Sequence, residues 1–82
     1  MSKATHIESE AFKDCTSLVM DINCPNLVWI GQDAFSNSGV KNVLNLGSIQ
    51  KLDRTFFGCN IDTAIIPESV TKYSGVFRRG SV

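Results

Sequence analysis

The sequence has no charge surplus: eight basic and eight acidic side chains cancel over 82 residues. Strong nucleic-acid binders carry a basic excess that neutralises phosphates, and nucleic-acid mimics carry an acidic one. Direct nucleic-acid binding is therefore not expected. Long apolar runs are absent too. None approaches the roughly 18–20 residues of a membrane span, and the start Met1-Ser2-Lys3-Ala4-Thr5-His6 lacks the apolar core of a secretory signal. The expectation is a cytoplasmic, water-soluble chain with no membrane partner. Histidine is all but missing, and a lone His6 with no Cys-x-x-Cys pair cannot complete a zinc site. The six glycines are scattered, so no phosphate-cradling loop is present. No nucleophile sits in a pattern with a base, and Glu8 and Glu10 share a strand-like face only as solvated groups. No enzyme activity, cofactor or metal is expected.

Cysteine is present but odd in number: Cys15, Cys24 and Cys59. An odd count fits a reducing compartment. The mild charge gradient runs from five acids and three bases in residues 1–41 to the reverse in residues 42–82, with Arg78-Arg79 as a local basic pair. A globular chain of this size buries only roughly 60–65% of its unfolded surface, so it forms one small domain of marginal stability.

What is there is a repeat. Ile7-Glu8-Ser9-Glu10-Ala11-Phe12-Lys13-Asp14-Cys15 returns as Ile30-Gly31-Gln32-Asp33-Ala34-Phe35-Ser36-Asn37-Ser38, then as Leu52-Asp53-Arg54-Thr55-Phe56-Phe57-Gly58-Cys59, and faintly as Tyr73-Ser74-Gly75-Val76-Phe77. Phe12, Phe35, Phe56 and Phe77 are spaced by 23, 21 and 21 residues. Self-similarity at such a period signals stacked structural units. Units of approximately 7–29, 30–51 and 52–72, with a partial unit 73–82, make a single domain over 1–82.

Each unit reads as a turn-like piece carrying the Phe, a strand, a corner and a second short strand. The long strands are expected at 18–22, 40–44 and 61–66, and the short ones at 27–30, 49–52 and 70–73. Pro25-Asn26, Gly47-Ser48 and Pro67-Glu68 mark the corners. Alternation along the strands points Ile22, Leu44 and Ala64 inward, followed by Cys24, Leu46 and Ile66. Leu27, Ile49 and Val70 form the next inward column, then Ile30, Leu52 and Tyr73. Ala11 and Ala34 precede the plugging Phe, where a short helical turn pressed against the coil leaves room for little more than a methyl. Cys15 and Cys59 share a column two rungs, or about 10 Å, apart, which is beyond disulfide reach.

The pattern Ile-Gly-x-x-Ala-Phe-x-x-Cys, with Ser-Leu after it and Ile-Pro-x-Ser-Val later, resembles the BspA-type leucine-rich repeats. The resemblance is carried by Ala11-Phe12, Cys15, Ser17-Leu18, Ile30-Gly31, Ala34-Phe35, Phe56, Gly58-Cys59 and Ile66-Pro67-Glu68-Ser69-Val70. It implies a mainly β, right-handed solenoid of short strands with short helical turns on the convex side. It also implies binding rather than catalysis. Members usually carry many repeats with export or anchoring segments, which are absent from these 82 residues.

The outward rows are the candidate binding surface: Asp21, Asn23, Val43, Asn45, Thr63 and Ile65 on the long strands, with Trp29 on a short one. Open solenoid ends, with their unpaired strand edges, make a homodimer a second expectation. The leading functional reading is a non-catalytic protein-binding module, in its narrowest form a small phage- or mobile-element-encoded inhibitor of a host complex, similar to an anti-CRISPR protein. The alternative is a fragment or self-assembling unit of a larger repeat scaffold or adhesion protein.

Overall fold

A computed structural model describes residues 3–76; the fourth aromatic, Phe77, and the Arg78-Arg79 pair lie outside that span. Seven short strands follow one another: β1 (His6–Ile7), β2 (Val19–Asn23), β3 (Trp29–Ile30), β4 (Gly39–Asn45), β5 (Lys51–Asp53), β6 (Thr63–Ala64) and β7 (Lys72–Ser74). The long pieces stack as a sheet in the order β2-β4-β6, and the short ones pair as β1-β3 and β5-β7. Every ladder is parallel. Parallel neighbours need a long crossover, and here each crossover is the rest of one coil. The result is a β-solenoid, as the repeat predicts.

The third wall of the coil differs from expectation. No helix occurs among the described residues; each Ala-Phe segment is a chain of overlapping β-turns. Ala11, Lys13 and Cys15 donate their amide N–H to the carbonyls of Glu8, Glu10 and Phe12. The alternate amides of Glu10, Phe12 and Asp14 donate instead to Gln32, Ala34 and Ser36 of the next coil, at 3.0, 2.7 and 2.8 Å. The same alternation links Asp33, Phe35 and Asn37 to Asp53, Thr55 and Phe57. A helix would turn all of these donors along its own axis. The turn chain sends half of them between coils, so this wall is held as a ladder too.

That geometry requires left-handed backbone at two fixed columns. Glu10, Asp33, Arg54 and Gly75 have φ of 60, 58, 51 and 54°, and Asp14, Asn37 and Gly58 have 62, 55 and 80°. Asp, Asn and Gly suit this conformation; Glu10 and Arg54 hold it at a cost of about 1–2 kcal/mol each.

The core runs along the solenoid axis. Phe12 and Phe35 stack with centroids 5.0 Å apart and planes 5° apart, and Phe35 and Phe56 stack at 5.7 Å and 16°. Around them lie the buried columns Cys24 and Leu46, Leu27, Ile49 and Val70, and Ile30 and Leu52. At the corner after β4, Gly47 has φ of +64° and an added Cβ would meet the Leu27 backbone.

Four facing assignments change, two of them on β4. Val43, expected to face out, is fully buried, whereas Leu44, expected to face in, is 40% exposed. The cause is a pair of register shifts: β2 places five residues against seven of β4, with Asp21 opposite Asn42, Ile22 opposite Val43 and Asn23 opposite Asn45. Leu44 is the extra residue of a bulge, which breaks simple alternation. The inward column is Ile22, Val43 and Ala64. Tyr73 does pair with Leu52 but is 61% exposed, and Ala64 is exposed as well. Both stand on the last described rung, with no further described coil above them.

Candidate binding faces

The bulged register decides what the long-strand sheet presents. Asp21, Asn42 and Thr63 form one outward row, and Asn42 Nδ2 donates to Asp21 Oδ1 at 2.9 Å. Lys41 Nζ lies 3.6 Å from Asp62 Oδ2 along the same edge, an exposed pair worth under about 1 kcal/mol. Beyond Val43, which is buried, and Ala64 come the exposed Leu44 and Ile65, the latter 56% exposed. Ile65 N–H donates to the Val43 carbonyl at 2.8 Å, which keeps the chain in the ladder and its side chain beside the bulge. Asn23 and Asn45 pair on the neighbouring rungs. Asn45 has a second task, since its Oδ1 accepts from Gly47 N–H at 2.8 Å and closes the corner.

Of the residues expected to bind, Asp21, Asn23, Asn45, Thr63 and Ile65 thus share one face. Val43 lies beneath it, and Trp29 is on another sheet. Sequence alternation passed over Asn42 and Leu44, which replace Val43 on the face. The signal was available: the Asn42-to-Thr63 spacing is the same 21 residues that separates Phe35 from Phe56, whereas alignment on the corner used 22 and 20.

Trp29 stands on the short-strand wall, 43% exposed, opposite His6, with ring centroids 6.4 Å apart. A shallow groove of about 260 Å³ runs from Val28 and Trp29 past Gln50 and Lys51 to Thr71 and Lys72. Nothing in the sequence singles out Lys51, because a lysine on a strand is ordinarily just solvated, and Lys72 stands out there only as a neighbour of Arg78-Arg79.

The turn wall carries a charged cluster built on the buried Asp33 and the exposed Arg54. Arg54 Nε donates to Asp33 Oδ1 at 3.1 Å, and the Arg54 guanidinium sits 4.5 Å from the Phe57 ring centroid. Ser36 Oγ lies 2.7 Å from Asp33 Oδ1 and 2.6 Å from the Arg54 carbonyl, so its single proton sits between two acceptors. The Ser36 hydrogen bond, helped by Arg54, holds the Asp33 carboxyl below the usual carboxylate range. Lowering a carboxyl this way favours a permanent anion, the opposite of what proton transfer near neutral pH needs. The cluster joins the second coil to the third.

The sulfur chemistry is equally quiet. Cys15, Cys24 and Cys59 are all thiols. Burial pushes the Cys24 thiol up, and Cys59 Sγ donates to the Phe35 carbonyl at 2.9 Å. Among the described residues no group of three His, Cys, Asp or Glu could hold a metal ion, and no helix is long and apolar enough to cross a membrane.

Parallel ladders repeating about every 21 residues, with a Phe stack along the axis, define a leucine-rich-repeat solenoid. Residues 1–78 match the family described as the BspA type leucine rich repeat region (6 copies), and the chain belongs to it. No curated protein and no solved structure matches the chain.

Proposed function

We propose that this chain is a non-catalytic protein-binding module that engages its partner through the outward face of the long strands. The observation that carries this is the exposed apolar pair Leu44 and Ile65 beside the polar row Asp21, Asn42 and Thr63. An apolar centre with a polar margin is the usual composition of a protein interface. The bulge supports the reading, because it turns outward a leucine that regular pairing would bury. Affinity capture from the native host, read by mass spectrometry, tests it. A partner retained by the wild type and lost with both Leu44→Asp and Ile65→Asp supports the reading. Retention of every partner by both variants would falsify it.

A self-assembling unit is the second reading, supported by the long sheet's ends: among the described residues, β2 and β6 are its two edges. Edges of this kind invite pairing with another strand. Sedimentation across a wide concentration range decides, and a monomer throughout removes homodimerisation. The narrower reading as a mobile-element inhibitor of a host complex rests on chain size and gains no support from any residue of either face.

A further inference from the structure

We infer that the short-strand wall is a second docking surface, fitted to an acidic peptide segment with an apolar lead residue. Lys51 and Lys72 stand directly opposite one another across the β5–β7 ladder, both exposed. Directly opposed like charges destabilise a sheet. Of the other described cations, Lys13, Lys41 and Arg54 are matched with Glu10, Asp62 and Asp33, while Lys3, near the start of the chain, is not. Lys51 and Lys72 have no such match, and Asp53, two residues from Lys51, forms no ion pair with either. A lysine pair held at this cost, without an internal counter-charge, is complementary to an external anion.

Trp29 sets the chemistry of the rest. It lies in the same groove, next to Val28, and it offers an exposed aromatic surface of the kind enriched at binding hot spots. Rungs stack about 4.8 Å apart, so Lys51 and Lys72 lie roughly 5 and 10 Å along the axis from Trp29. An extended peptide advances about 3.3 Å per residue. A lead residue packed on Trp29 therefore brings the carboxylate two positions later, on the same face of the extended chain, to roughly 6.6 Å along the axis, between the two ammoniums. Two lysines neutralise about two phosphates, too few to hold a nucleic acid at ordinary salt. The groove favours the peptide.

The test uses the whole chain, with Trp29 as its sole tryptophan reporter. The probe is an end-blocked Leu-Glu-Asp-Glu-Leu peptide, set against its Leu-Gln-Asn-Gln-Leu counterpart and a single-stranded oligothymidine. A saturable shift in tryptophan emission with the acidic peptide, weakened by added salt, is expected. Lys51→Gln and Lys72→Gln should each lower affinity by up to about fivefold, the range of an exposed ion pair. Leu44→Asp should leave affinity unchanged, which keeps this result separate from the long-strand reading. Absence of a saturable shift, equal binding of the neutral peptide, tighter binding of the oligothymidine, or indifference to both lysine changes would each overturn the inference. The salt dependence of the wild type decides it even where a variant folds poorly.

Discussion

The ladder between β2 and β4 and the ladders above it obey different rules. From β4 to β6 and from β5 to β7 the offset is a constant 21 residues. From the first coil to the second it wanders: 23 at His6 and Trp29, 20 at Val19 and Gly39, 21 at Ile22 and Val43, 22 at Asn23 and Asn45. Yet the first junction keeps its inward column, because Ile22 and Val43 still meet directly. A solenoid tolerates inserted residues wherever they are expelled to the surface, as Leu44 is, provided the inward side chains return to register. Irregularity at the first junction made the candidate binding face; regularity at the later ones made the lysine pair.

The sharpest way to break this comparison is at adjacent residues of β4. Val43→Asp puts an unpaired charge into the core and should cost several kcal/mol, enough to unfold a domain of this size. Leu44→Asp should change stability by no more than about 0.5 kcal/mol, as exposed substitutions usually do. Urea denaturation reads both, and equal losses would refute the bulged register. Next in size, Phe35→Ala, at the centre of the aromatic stack, should cost about 3–5 kcal/mol. Phe12→Ala, half-buried on the first coil, should cost clearly less in the same experiment.

Asp33→Ala should follow at about 1–3 kcal/mol, since Ser36 and Arg54 lose a buried acceptor. The pH dependence has a definite sign. Asp33 binds its proton less readily folded than unfolded, so its contribution is complete above about pH 3.9, the ordinary aspartate value. It is then lost as pH falls through the lower folded value. The denaturation midpoint of the wild type should therefore fall more steeply than that of Asp33→Asn on acidification below pH 4, roughly the ordinary value. Parallel curves would remove Asp33 as an acid-sensitive tie. Smallest of all, Lys51→Gln or Lys72→Gln should raise stability by a few tenths of a kcal/mol by relieving an opposed like-charge pair. A measurable loss of stability would show that the lysine stems pack, and that the pair is structural.

Much of the fold was legible in the residues. The Phe spacing led to the stack of Phe12, Phe35 and Phe56, and the corner residues located Cys24, Leu46, Leu27 and Ile49 in the core. The faces were less legible. Alternation has a period of two, so one extra residue reverses every assignment until a second shift restores it. Val43 and Leu44 are equally apolar, and nothing local distinguishes them. The alanine before each plugging Phe suits a short helical turn pressed on the coil; the hydrogen bonds that make it a turn chain instead come from a coil about 22 residues away.

Periodicity by itself determined that this chain stacks its coils as a solenoid, because no single coil has enough apolar surface to fold alone and only neighbours can supply it. The motif residues carried the resemblance to the BspA-type repeats, the family to which the chain belongs. Tertiary structure alone decided which residues face outward, that Asn42 would lie against Asp21, and that Lys51 would stand against Lys72 beside Trp29. Those outcomes depend on register between coils. Register is settled by how all the inward columns pack together, and short windows of sequence do not contain that sum.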